Sequence, residues 1–155
     1  MRKNKPILVW IFLVVILGVV VFFAWKLISP NQRNVAAWKN ADVRCLSNRE
    51  PVSGGDYSVL QILVDGSPEA IPEQIGVAKR CMAELYTSDI SGTIYIDPAT
   101  PEKTFTLGQF FKIWREPMER EGYKMHMTVN GLPNTQFENL VLEDKQLIIL
   151  EYDRK

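Results

Sequence analysis

Hydrophobic and polar positions divide the chain into two regimes. Residues 7–25 run for nineteen positions without a charge, and Met1-Arg2-Lys3-Asn4-Lys5 precedes them as a basic tail. At about 1.5 Å per residue such a helix spans ~28 Å, close to the hydrocarbon thickness of a bilayer. Trp10 and Trp25 sit near its ends, where indole rings favour the water interface, and Lys26 can extend its ammonium outward. A cleaved signal peptide is the alternative, but it has a shorter apolar core and small residues at the cleavage site. Here bulky Phe22-Phe23-Ala24-Trp25 stands instead. The expectation is an uncleaved transmembrane anchor over residues 6–28. Arg2, Lys3 and Lys5 tip the positive-inside balance slightly towards an internal amino terminus. Residues 29–41 are polar and weakly patterned and read as a linker, with a turn of helix continuing the anchor as one option.

From Asp42 onward the pattern is that of a small folded domain, residues 42–155. Residues 57–64 are rich in β-formers and end at Asp65-Gly66, a strand-then-turn signal. Residues 67–72 return as a short edge strand marked by proline. Residues 81–86 read as another short strand, Asp89-Ile90-Ser91-Gly92 as a turn, residues 93–97 as an alternating strand and 98–103 as a loop. Leu107, Phe110, Phe111 and Trp114 then fall at i, i+3, i+4 and i+7, the apolar face of one helix. Thr106 and Gln109 fit a capping box at its start, and Pro117 is expected to stop it. Residues 124–129 predict a strand closed by Asn130-Gly131. Residues 146–152 predict a last strand with both faces buried, after a turn at Glu143-Asp144-Lys145. One helix on a mixed sheet is an α+β fold, and the strand pairs flanking a central helix predict a β-grasp-like arrangement.

Charge sharpens the picture. All eighteen acidic residues and twelve of the eighteen basic ones lie from Asp42 onward, a net of −6 for the domain. That balance argues against nucleic acid as a partner. Cys45 and Cys81 are an even pair, which outside the cytoplasm points to a disulfide; two free thiols are the alternative, without a Cys-X-X-Cys. His126, the sole histidine, lies between Met125 and Met127, but strand neighbours point to opposite faces, so it shares a face with neither. Thr87-Ser88-Asp89 has turn composition, Ser53-Gly54-Gly55 lacks the lysine of a phosphate loop, and Glu119, Glu121, Glu143 and Asp144 read as solvated. No convergent catalytic set, metal site or cofactor site is expected from these residues.

Several segments resemble a family of secreted or membrane-anchored prokaryotic domains. They are Val64-Asp65-Gly66, Ile71-Pro72-Glu73-Gln74-Ile75-Gly76-Val77, the stretch from Cys81 through Asp89, Gly92-Thr93-Ile94-Tyr95-Ile96-Asp97, Phe105-Thr106-Leu107-Gly108-Gln109-Phe110-Phe111-Lys112-Ile113-Trp114 and Val129-Asn130-Gly131. The resemblance runs from about Cys45 to Tyr152, and Phe-Thr-Leu-Gly-Gln-Phe-Phe followed by Trp is its most specific part. That family is rich in histidine, which implies a copper or zinc site. This chain has Gly55, Tyr57 and Val59 where the first histidines would stand, Tyr86 and Ser88 where the next two would, and Tyr95 in place of the last. Asp89 survives alone. Tyrosine and serine are poor ligands for a borderline metal without imidazoles beside them. The resemblance therefore implies a retained scaffold with its metal chemistry lost, and it places both cysteines where the family has them. The expected function is that of a non-enzymatic, membrane-anchored accessory domain with a protein partner, held in the cytoplasmic membrane with the domain outside. A metal-binding domain with a degenerate site is the alternative.

Overall fold

A computed structural model describes residues 30–47, 55–79 and 81–155. The expected anchor at 6–28 and the basic tail lie outside these residues. Among the described residues no helix is long and apolar enough to cross a membrane.

The compact unit spans Asn34–Lys155 and so begins before Asp42. The stretch read as a linker carries helix α1, Pro30–Asn40. Pro30 suits a first helical position, where a missing N–H costs nothing, and Ala36-Ala37 propagate the turn. The helix ends in a Schellman motif. Asp42 takes a left-handed φ of 55°, its N–H donates to Lys39 O, and Val43 N–H reaches back to Trp38 O. The same motif brings Trp38 and Val43 together, and both are buried in the core. Composition concealed this because one tryptophan supplies most of the burial.

The strands are β1 (Cys45–Leu46), β2 (Asp56–Val64), β3 (Ser67–Glu69), β4 (Val77–Ala78), β5 (Cys81–Ala83), β6 (Leu85–Tyr86), β7 (Thr93–Ile96), β8 (Tyr123–Val129), β9 (Leu132–Pro133) and β10 (Gln146–Arg154). Helix α2, Leu107–Trp114, and a single 3-10 turn, Phe137–Asn139, complete them. The main sheet has the order β6-β7-β2-β10-β8-β9, with β3 hairpinned onto β2. Its centre is a parallel pair, β2 with β10, and the other pairs are antiparallel. A smaller sheet, β1-β5-β4, lies apart from it. The fold is α+β. Asp65-Gly66 and Asn130-Gly131 both have positive φ at each central residue, the turn geometry that matches the twist of a two-residue hairpin.

One face of the main sheet is covered. Leu60, Ile62, Ile94, Ile148, Leu150 and Tyr152 form a single cluster with Leu107, Phe110 and Phe111 of α2 and with Trp38. Trp114, the last residue of the expected helix face, is only half-buried and tilts against Phe110 and Phe111. The capping box forms as expected: Gln109 N–H donates to Thr106 Oγ1, and Thr106 N–H donates to Gln109 Oε1. Gln109 Nε2 also donates to Ala41 O at 2.8 Å, tying α2 to the end of α1. A Cβ on Gly108 would lie 2.8 Å from Glu138 O, so only glycine lets the 3-10 turn lie this close to the helix.

Two expectations need correction. The last strand is not buried on both faces: Gln146, Ile148, Leu150 and Tyr152 point inward, whereas Leu147 and Glu151 are exposed. Its alternation was masked by Ile149, which stays half-buried on the outer face. The helix, in turn, stops before Pro117. Arg115 adopts a left-handed φ of 70° and its N–H donates to Phe111 O, which closes the helix two residues early. Non-glycine residues pay roughly 1 kcal/mol for that conformation. Arg115→Gly is therefore expected to raise the urea midpoint, by about 1 kcal/mol of stability, and an unchanged or lowered midpoint would contradict this reading of the cap.

Candidate functional site

Glu84 stands in the short break between β5 and β6, at 0 % exposure. Its Oε2 accepts from Arg44 N at 2.7 Å and from Lys103 Nζ at 2.7 Å, and its Oε1 accepts from Ala99 N at 2.8 Å. Burial pushes this carboxyl up. The lysine and the two backbone donors outweigh it and hold the group below the ordinary glutamate range. Lys103 also donates to Asp42 O and lies 5.0 Å over the Phe105 ring. The assembly ties the 42–44 segment to the 97–105 loop. Beside it Cys45 and Cys81 form a disulfide, with Cα atoms 5.5 Å apart across β1 and β5. Neither Glu84 nor Lys103 stood out in the sequence. The one available signal was a carboxylate among apolar neighbours in Cys81-Met82-Ala83-Glu84-Leu85.

A second group lies on the outer face of the main sheet. Cross-strand register sets Tyr57 opposite Tyr95 and Tyr95 opposite Tyr86. Tyr57, Tyr95 and Tyr86 thus form one row, with Val59 next along β2. The rings of Tyr86 and Tyr95 stack at 5.1 Å. Burial, a hydrogen bond to Asp97 and the charge of that carboxylate push the Tyr86 phenol up to about 12. The group is a neutral donor at any physiological pH. Ser88 and Asp89 lie apart in an exposed turn, where Asp89 Oδ1 accepts from Ser91 N–H. Thr87 is buried rather than part of that turn: its hydroxyl donates to Pro72 O and accepts from Ile75 N–H. Gly55 opens the strand, and Ser53-Gly54 lies outside the described residues. Among the described residues no three His, Cys, Asp or Glu side chains converge as metal ligands would.

His126 faces outward from β8, half-exposed and 4.0 Å from Asp153 Oδ2. Met127 is buried, and Met125 is half-buried against the core from the inner face. The alternation expected of this strand is therefore observed. Next to Met125 lies a groove of about 360 Å³, lined by Met118, Tyr123, Met125 and Phe137 with charged residues at its rim. One wall is fixed by Arg120, whose two guanidinium nitrogens donate to the Glu69 carboxylate at 2.8 and 2.6 Å and whose plane lies 4.4 Å over the Tyr152 ring. That pairing holds Glu69 below the usual carboxylate range despite opposing burial. Tyr152 OH in turn donates to Met118 O at 2.6 Å. Glu119 shares the groove rim and is exposed, as is Glu121; Glu143 and the half-exposed Asp144 flank the turn into β10.

Comparison with known protein families, with curated proteins and with solved structures finds no match.

Proposed function

We propose that the chain is a non-enzymatic accessory domain, tethered to the cytoplasmic membrane through residues 6–28, that presents a protein-binding surface outside the cytoplasm. The observation that carries this reading is the asymmetry of the main sheet. Its inner face is packed under α2 and α1, whereas its outer face leaves Tyr57, Val59, Leu63, Leu147 and Ile149 half-buried or exposed. Contiguous apolar side chains left at a surface cost free energy that a partner recovers on binding. The Cys45–Cys81 disulfide supports an oxidising compartment. The uncharged run 7–25 behind a basic tail supports the tether. The sheet order, with a parallel central pair and the helix between β7 and β8, supports a β-grasp-like arrangement of the domain.

Cross-linking in intact membranes followed by detergent extraction is expected to capture a discrete protein partner, and protease added to intact cells is expected to cleave within 42–155. A strictly monomeric chain without any partner, or one cleaved only after lysis, overturns the reading. The alternative is a metal-binding domain with a degenerate site. Elemental analysis after titration with copper and zinc distinguishes it: stoichiometric metal retained on the wild type and lost on replacing His126, Cys45 or Cys81 would favour it.

A further inference from the structure

On one side of the main sheet, the two-residue β9 covers β8 only in part. Asn130 N–H donates to Leu147 O and Lys155 N–H to Gly122 O, so the even-numbered residues of β8 direct their backbone groups to β10 and the odd-numbered ones direct theirs outward. On that outward side β9 pairs only with Thr128 and Val129, and Asn134 N–H makes one further bond to Met127 O. The chain then leaves. Asn134 Oδ1 accepts from Gln136 N–H at 2.7 Å, and a left-handed Phe137 turns the backbone away. Four groups remain along the edge: Met127 N–H, both groups of Met125 and Tyr123 C=O. Among the described residues no backbone bond reaches them from outside the sheet. Alternating donors and acceptors in a row are a template for another strand.

The 360 Å³ groove runs beside these groups. Its floor is Met118, Met125 and Phe137, and methionine adapts its shape to varied partners. On the outer face the neighbouring side chain is Lys124, and Lys155 shares the rim; neither is in an ion pair among the described residues. Arg120 is occupied by Glu69, and Glu119 and Glu138 line the groove itself. Side chains of an added strand alternate between the two faces. Those beside Met125 meet the Met118, Met125 and Phe137 side chains of the groove, and those beside Lys124 meet its ammonium, which stands cross-strand from Asp153 and has no ion pair among the described residues.

We propose that this edge receives an extended segment of a partner protein with alternating apolar and acidic side chains. The segment adds a strand beside residues 123–127, sets an apolar side chain onto Met118, Met125 and Phe137, and sets a carboxylate against Lys124. Main-chain hydrogen bonds supply the affinity and the two faces supply the selectivity. This rests on the protein-binding reading above and gives it a place and a ligand class.

The test uses the full chain in lipid nanodiscs and a phage-displayed library of random dodecapeptides. Enriched peptides are expected to alternate β-branched or other apolar residues with Asp or Glu. Synthesised, they are expected to lose at least tenfold in affinity when alternate backbone nitrogens are methylated, and several-fold against the K124E/K155E double variant. Met125→Pro removes an outward N–H at an edge where proline is tolerated and is expected to cost at least tenfold; the charge reversals serve as the independent variant if that protein melts early. Peptides that bind the methylated form and all variants equally overturn the edge site. If such peptides instead lose binding on Leu147→Asp, the outer face is the interaction surface: the edge falls and the protein-binding reading stands. If no peptide is enriched and cross-linking in membranes finds no partner, both fall.

Discussion

Glu84→Ala is expected to lower unfolding stability by about 3 kcal/mol or more, a large part of the 5–15 kcal/mol typical of a domain this size. The reason lies in what remains rather than in what is lost. Arg44 N–H and Ala99 N–H would lose their carboxylate acceptor in a part-buried site, and Lys103 Nζ would keep only its bond to Asp42 O. Each unsatisfied buried donor costs on the order of 1–3 kcal/mol. Glu84→Gln should cost less, because the amide oxygen can still accept one of the backbone donors. Lys103→Met should cost least, since the side chain is 18 % exposed and water screens part of its attraction. Urea denaturation of the three variants checks the order Ala, Gln, Met. Equal and small losses would mean that the cluster contributes little.

The same residues set an acid response. Glu84 is held below its ordinary value of 4.5 in the folded state. Its contribution is therefore present above that value and disappears as pH falls through the lower, folded value. Removing Lys103 leaves burial, the largest single influence, less opposed, so the folded carboxyl should protonate at a higher pH. Lys103→Met is accordingly expected to begin acid unfolding at higher pH than wild type. An identical acid midpoint in both proteins would exclude Glu84 as the titrating group.

Much of this architecture is legible along the chain because local chemistry and tertiary packing agree. Asp65-Gly66, Asn130-Gly131 and the Thr106–Gln109 box each carry their own geometry, and each forms where its residues stand. The features that escaped depend on distant segments. Helix α1 is recognisable only once Trp38 has a core to enter and Asp42 accepts a left-handed backbone. Glu84 finds its lysine nineteen residues on and its amide donors fifteen and forty residues away. The groove at β8 exists because Asn134 and Phe137 divert the chain, a consequence of backbone dihedrals that no periodicity encodes. The tyrosine row, by contrast, was visible as residues but not as a row, since register alone brings Tyr57, Tyr95 and Tyr86 side by side.

Removing the disulfide is the second large perturbation. Cys45 and Cys81 are 36 residues apart, and closing a loop of that length restricts the unfolded chain by about 3–4 kcal/mol on the chain-entropy account. Cys45 stands at the surface while Cys81 is buried. The paired variant C45A/C81A and the reduced wild type should both lose stability of that order. The loss should also be local at first. The bridge, the bond from Arg44 N–H to Glu84 and the bond from Lys103 to Asp42 O all hold residues 42–45. Amide exchange in 38–46 is therefore expected to accelerate in the reduced protein before exchange in β2 and β10 does. Because one segment carries all three ties, combining C45A/C81A with Glu84→Ala should cost less than the sum of the two, the mark of a shared opening. Full additivity, with uniform acceleration across both sheets, would show instead that the two ties stabilise only the global fold.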